Sequence, residues 1–152
     1  MCQAGSSCVR KASLDDAAAI AEVYLSSRRA ASPSIPPGVH SDAEVHAWVR
    51  ELLVPECEVY VTVDDDEVVA FMALDGDMLE QLYVAPLHQR IGHGARLLGL
   101  AQTTRESLVL WTFEGNLGAR CFYEAHGFTQ SGEASTNNEE HAPALCYRWI
   151  EH

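Results

Sequence analysis

Apolar residues recur along the chain with periods near 2 and near 3.6, and the switches between the two periods set out the elements. Residues 9–12 read as a short opening strand. Ser13, with Asp16 three residues on, forms a capping box, and the helix it starts carries Ala17, Ile20, Ala21, Val23, Tyr24 and Ser27 as an amphipathic stripe. Three prolines and a glycine make residues 32–40 a loop. Ser41 with Glu44 repeats the capping box. The second helix that follows has Val45, Trp48, Val49, Leu52 and Leu53 as its apolar face, and Pro55 is expected to stop it.

The period then shortens. Residues 58–63 and 68–74 are β-branched and apolar runs around Asp64-Asp65-Asp66-Glu67, a hairpin whose four acids read as a solvated turn. Asp75-Gly76-Asp77 turns the chain into a strand over 78–84, which Pro86 ends. A loop over 86–94, a helix over 95–105, a strand over 108–113 and a helix over 117–125 come next. Strands at 128–131 and 144–150 close the chain around a polar loop, 132–141. The order β-α-α-β-β-β-α-β-α-β-β combines hairpins with strand–helix–strand crossovers. It predicts an α/β (α+β mixed) class, a mixed sheet covered by helices on both faces, within one domain over residues 1–152.

Charge removes several function classes. Ten Lys and Arg against 22 Asp and Glu leave a net charge of −12, which argues against nucleic acid and anionic membrane surfaces as partners. No run approaches 18 apolar residues, so no membrane span is expected. The first ten residues lack an apolar run behind a basic start, so no secretory signal is expected and the cytoplasm is the expected location. Cys2, Cys8, Cys57, Cys121 and Cys146 contain no C-x-x-C pair, so neither a disulfide framework nor a Cys-rich zinc site is expected. Seven histidines show no H-E-x-x-H or similar spacing, and no metal is expected.

Two stretches carry chemistry. In the first, a strand ending at Leu82-Tyr83-Val84 leads into Gln89-Arg90-Ile91-Gly92-His93-Gly94-Ala95, a glycine-bearing loop that opens into a helix. Backbone N–H groups at such a helix start are unpaired donors suited to phosphate or pyrophosphate. From Gln81 through Arg105 there is no acid, whereas Arg90, Arg96 and Arg105 are present, giving a segment of +3 in an anionic chain. His88 and His93 add little, since each alone reads as a surface histidine. A Walker loop fails because Lys11 is the only lysine, and Leu97 stands where a dinucleotide fingerprint needs Gly or Ala. A plain turn remains the alternative for this loop.

In the second stretch, Asn116 fits a helix N-cap and Gly127 a C′ cap, with Ala119 and Phe122 inward and Tyr123 either core or facing a cleft. Cys121 lies five residues before His126 with no third group to orient it, which favours a packing role over a nucleophile.

Together the two stretches resemble the GNAT superfamily of acyl-CoA-dependent N-acetyltransferases. Gln89, Arg90, Gly92 and Gly94 match its Q/R-x-x-G-x-G/A loop, and Asn116, Ala119, Phe122, Tyr123, Gly127 and Phe128 match its N-x-x-A-x-x-F-Y-x-x-x-G-F element. The resemblance implies a mostly antiparallel central sheet and direct transfer of an acetyl group from acetyl-CoA to a primary amine. It further implies pantetheine contacts from Leu82, Tyr83, Val84 and Asn116, and pyrophosphate contacts from Gln89, Arg90, Ile91, Gly92, His93, Gly94 and Ala95. Tyr123 becomes the acid at the thioester sulfur. Glu80 becomes the candidate base, provided it is buried beside Tyr83 and Trp111, with Glu114 a weaker alternative. Acids at 42, 44, 139 and 140 hint at a cationic acceptor reached from the first two helices and the loops 32–40 and 132–141. Homodimer pairing through the last strand is open by analogy. The competing readings are an acyl-CoA sensor that transfers nothing and an adaptor that has lost the cofactor.

Overall fold

The computed structural model describes residues 7–152. Cys2, one of the five cysteines weighed above, lies outside them; Cys8 is disulfide-bonded, while Cys57, Cys121 and Cys146 are free thiols.

Strand β1 (Ser7–Lys11) leads through a 3-10 turn into helix α1 (Ala17–Ala31). The capping box forms: the Ser13 amide donates to Asp16 at 2.9 Å, and Arg10 holds the same carboxylate through two bonds of 2.8 and 2.9 Å. Helix α2 (Asp42–Trp48) starts on the second box, with Ser41 N–H to Glu44 at 2.8 Å and Glu44 N–H to the Ser41 hydroxyl at 3.2 Å. Pro55 does not stop this helix at the preceding residue. A π-helical stretch (Val49–Leu53) intervenes, the Val54 amide reaching back to the Val49 carbonyl, and a final turn α3 (Val54–Glu56) carries the proline. Such widening relieves the clash of a proline ring with the carbonyl four residues back.

Strands β2 (Glu58–Asp64), β3 (Glu67–Asp75) and β4 (Met78–Val84) form two antiparallel hairpins. The first turns on Asp65 and Asp66, both left-handed (φ 53° and 62°), the two-residue geometry that suits the twist of a hairpin. Helix α4 (His93–Thr104) begins two residues before the sequence-based start at 95, because Gly92 with φ 100° serves as its N-cap. Strand β5 (Ser107–Phe113), helix α5 (Leu117–Ala125), β6 (Thr129–Gln130) and β7 (Ala144–Ile150) complete the chain.

The seven strands lie in the order β1-β2-β3-β4-β5-β7-β6, antiparallel except for β4 and β5. One apolar core lies between the sheet and α1–α2 (Ile20, Ala21, Val49, Val61, Phe71), the other between the sheet and α4–α5 (Met72, Leu97, Leu98, Leu110, Tyr147), so helices do cover both faces. The last strand β7 lies inside the sheet between β5 and β6; the edges are β1 and the two-residue β6. Pairing across subunits through β7 is therefore closed off. Among the described residues no helix is long and apolar enough to cross a membrane.

One irregularity in β4 shapes the site. Ala73 pairs with Gln81 but Leu74 with Leu79, so Glu80 is the extra residue of a β-bulge in β4. At the same level β4 and β5 part company, since Met78 opposite Val109 is their only registered pair. Beyond the bulge, strand geometry leaves alternate N–H and C=O groups of Gln81–Val84 facing a gap instead of a neighbouring strand.

Candidate active site

The gap between β4 and β5 is bordered at its far end by the loop into α4. Arg90 is left-handed at φ 66° and Gly92 at φ 100°, and open space surrounds the Gly92 α-carbon where a side chain would stand. Such alternation turns successive N–H groups toward one concavity, and the start of α4 adds its own unpaired donors. Arg90 and Ile91 are exposed, and the Arg90 guanidinium has no ion-pair partner among the described residues. Gly94 packs its α-carbon against Phe122 and Val84, where an added Cβ would sit at 3.5 and 3.7 Å. This loop fits a diphosphate.

The cationic segment is smaller than the sequence suggests. Arg105 lies at the far end of α4 and binds Glu58 at 3.3 Å and the Gly76 carbonyl at 2.9 Å. Arg96 reaches the backbone of Ser7 at 3.2 Å. Only Arg90 stands on the loop. Gln89 also turns inward, its amide donating to the Val84 carbonyl at 2.9 Å, a carbonyl that the Ser27 hydroxyl binds too, at 2.8 Å. Val84 therefore has its N–H, and not its carbonyl, to offer a ligand. His93 is not a surface residue: it is 8% exposed, and its Nε2 is buried without a hydrogen-bond partner.

Across the gap, Asn116 caps α5 by accepting the Ala119 amide at 3.2 Å. The other end of α5 is closed by Gly127 at φ 90°, with Phe128 N–H to the Tyr123 carbonyl at 3.0 Å and Gly127 N–H to Glu124 at 3.1 Å. That pair of bonds is a Schellman closure, and it brings Phe128 onto the Tyr123 ring at 5.5 Å. Tyr123 is 8% exposed and no hydrogen bond ends on its hydroxyl among the described residues. Burial, with the Tyr83 hydroxyl close enough to add repulsion, pushes its phenol well above the ordinary tyrosine value. Tyr123 thus sits in the core between the sheet and α4–α5 and stays protonated. Tyr83, on the other face, is pushed up to about 12 by burial.

Glu80 departs from its expected surroundings. It is exposed, and Trp111 is 51% exposed. The bulge instead turns Glu80 into a cleft on the α1–α2 side, lined also by Tyr24, Arg28, Glu44, Trp48, Gln81, Phe113, Glu139 and Glu140. Desolvation there still raises its carboxyl above the usual range, with Asp75 adding repulsion. Glu114 faces a separate depression with Pro33, Gly115, Arg120 and Pro143 and is no rival. Cys121 is exposed, and His126 spends its Nδ1 on the Phe122 carbonyl at 2.8 Å, so no thiol–imidazole pair exists.

Sequence reasoning missed the side chain that organises this cleft. Arg28 on α1 pairs with Glu140 at 3.1 Å and bonds the Tyr24 hydroxyl at 3.2 Å. Its guanidinium lies over the rings of Tyr24 and Phe113, at 5.4 and 5.7 Å. His40 likewise binds Glu139 at 2.8 Å. The low-content loop 132–141 is thereby tied down as one wall. Tyr24 stacks with Trp48 at 5.3 Å and Tyr83 at 5.2 Å, an aromatic path from the cleft to β4.

Comparison with known proteins identifies the family. The chain is 26% identical over 142 residues to the peptidyl-lysine N-acetyltransferase YiaC of Escherichia coli K12, covering 93% of this chain and 95% of that protein. Its fold matches the solution structure of apo YjaB from Escherichia coli with TM-score 0.78 at 22% identity, over 97% of this chain and 99% of that one. The PaiA N-acetyltransferase of Thermoplasma acidophilum, solved with coenzyme A, matches with TM-score 0.72 at 18% identity, over 95% of this chain and 99% of that one. The family model for the acetyltransferase (GNAT) domain matches residues 55–130, half of the chain, running from the helix turn before β2 to the end of β6. The chain belongs to the GNAT family and is an acetyltransferase.

Proposed function

We propose that the protein transfers the acetyl group of acetyl-CoA directly to the side-chain amine of a lysine, presented on a peptide or protein. The observation that carries this reading is the cleft at the bulge. Four carboxylates (Glu44, Glu80, Glu139 and Glu140) and three aromatic rings (Tyr24, Trp48 and Phe113) line it with one arginine that is already paired. Such a lining suits an ammonium group on an apolar stem. The peptidyl-lysine activity named for YiaC agrees with it.

The chain's residues divide the work. Arg90 and the amides of Gly92, His93, Gly94 and Ala95 hold the diphosphate. Leu82, Tyr83, Val84 and Asn116 border the gap that takes the pantetheine arm, and the free N–H groups there polarise the thioester carbonyl. A lysine amine is protonated at neutral pH and cannot attack until it loses that proton. Glu80, with its raised carboxyl, takes the proton, directly or through a water. The amine then bonds to the acetyl carbon as the carbon–sulfur bond breaks, Tyr123 gives its proton to the departing thiolate, and the second proton lost by the acylated nitrogen restores the phenol through solvent.

The test is thiol release from acetyl-CoA with a lysine peptide, compared with the same peptide bearing an acetylated lysine and with one offering only its α-amine. Release that requires the free lysine side chain supports the assignment. Tight coenzyme binding without release on any amine would make the protein a sensor, and release only on the α-amine would move the acceptor to chain termini.

Glu80→Gln is expected to lower kcat/KM by roughly 100-fold, the usual scale for one positioned base. The sign of the pH effect follows from which form works. The carboxylate is the active species, so kcat/KM rises with pH as Glu80 loses its proton. Because desolvation lifts that carboxyl, the acidic limb lies above the ordinary carboxylate range. A pH profile of Glu80→Gln in which that limb persists unchanged would reassign the base.

A further inference from the structure

The unpartnered His93 is one of three metal-capable side chains that the fold brings together. His93 opens α4, His88 ends the short 3-10 turn Pro86–His88, and Asp64 closes β2 from the opposite side of the sequence. One ligand atom from each lies within 4.8 Å of the others. No hydrogen bond or ion pair ends on any of the three side chains among the described residues. His93 is more than nine-tenths buried with Nε2 unsatisfied, a state that costs free energy unless something fills it. A carboxylate and two imidazoles held this close without bonding one another resemble a coordination set waiting for a cation.

We propose that Asp64, His88 and His93 form a binding site for a divalent transition metal of the zinc class. Two imidazole nitrogens and one carboxylate oxygen are a ligand set that zinc accepts, with a fourth position left for a small ligand such as water. Ligand atoms around tetrahedral zinc lie about 3.3 Å apart at bond lengths near 2.0 Å. Closing from the present spacing takes side-chain rotation, since His88 and Asp64 are only partly buried. The acidic hairpin is thus more than a solvated turn, because its first residue faces inward to the loop. The bound ion fastens that hairpin to the diphosphate loop, and holds His93 at the first turn of the helix whose amides face the phosphates. Its position does not depend on which acceptor the enzyme uses, so the site stands or falls apart from the lysine assignment.

The experiment uses tag-free full-length protein freed of metal by a chelator, titrated with zinc chloride by calorimetry and with cobalt(II) by visible absorption. One zinc per chain is expected, with a higher melting temperature on loading and the visible bands of cobalt in a nitrogen–oxygen set of four ligands. His88→Ala and Asp64→Asn, chosen over the buried His93 and verified as folded by circular dichroism, should each weaken binding by at least about 100-fold. They should also abolish the thermal shift. Absence of saturable binding would overturn the proposal and leave a water as the partner of His93. Binding that survives both variants, or a near-ultraviolet sulfur-to-cobalt band placing the ion on Cys57 or Cys121, would overturn it equally.

Discussion

Tyr123→Phe is expected to lower kcat for acetyl transfer by about 100- to 1000-fold while leaving the fold and the coenzyme affinity nearly unchanged. The Tyr123 hydroxyl does little else in the fold. The ring is wedged between Phe122 at 5.2 Å and Phe128 at 5.5 Å, contacts that phenylalanine keeps. No hydrogen bond is lost with the oxygen, so the melting temperature should move by less than about 2 °C, and removing a polar atom from a buried place does not cost stability. The departing thiolate, by contrast, loses its proton source, and a loss of this size corresponds to about 2.7–4 kcal/mol of barrier. Because burial holds the phenol above its ordinary value, Tyr123 stays protonated through the neutral range. The wild-type kcat profile should therefore show no basic limb from this group below about pH 10. Stopped-flow thiol release for both proteins decides the matter. A kcat for Tyr123→Phe within threefold of wild type would hand the protonation step to water and reduce Tyr123 to packing.

Much of this site was legible because its signals are local. Asn116 and Gly127 name the ends of α5 by capping chemistry alone, and the structure places both caps where spacing put them. The strands over 78–84 and 144–150 likewise match to the residue, since alternation and a bounding proline or turn fix them. What escaped is long-range. The bulge at Glu80 arises from a one-residue mismatch with β3, and nothing in Met78–Val84 marks it, so the sequence leaves open whether Glu80 is buried beside Tyr83 and Trp111 or is a surface charge, and only the register shows that it faces an open cleft. Arg105 shares a stretch free of acids with Arg90, yet twelve helical residues carry it to the other end of α4 and onto Glu58. Histidines 88 and 93 carry no motif by themselves, because their third neighbour, Asp64, is supplied by a hairpin two strands away. The edge position assumed for β7 failed for a related reason: β6 follows α5 back to the sheet and covers it.

Arg28→Ala is expected to lower unfolding stability by about 3 kcal/mol, since it leaves Glu140 as an unpaired, mostly buried carboxylate. The two side chains are only 12% and 13% exposed, which sets this pair apart from the surface bridges of Arg29 with Asp42 and of Arg50 with Glu51. Burial works against the guanidinium charge, but Tyr83, Tyr24 and Glu140 outweigh it and hold the group firmly ionised. At 2–4 °C per kcal/mol for a chain of this size, the melting temperature should fall by roughly 6–12 °C. Replacing both partners by apolar residues, Arg28→Met with Glu140→Leu, should recover most of that loss, because the cost lies in the orphaned charge and not in a missing attraction. Catalysis should answer differently. Glu140 is the anchor that keeps residues 132–141 against the cleft, so both the single and the double variant should raise KM for a lysine peptide more than they lower kcat. Calorimetric melting and acceptor titrations on the two proteins separate the effects. If Arg28→Ala melts within about 2 °C of wild type, the loop is not held by this pair, and the cleft owes its second wall to His40 and Glu139 instead.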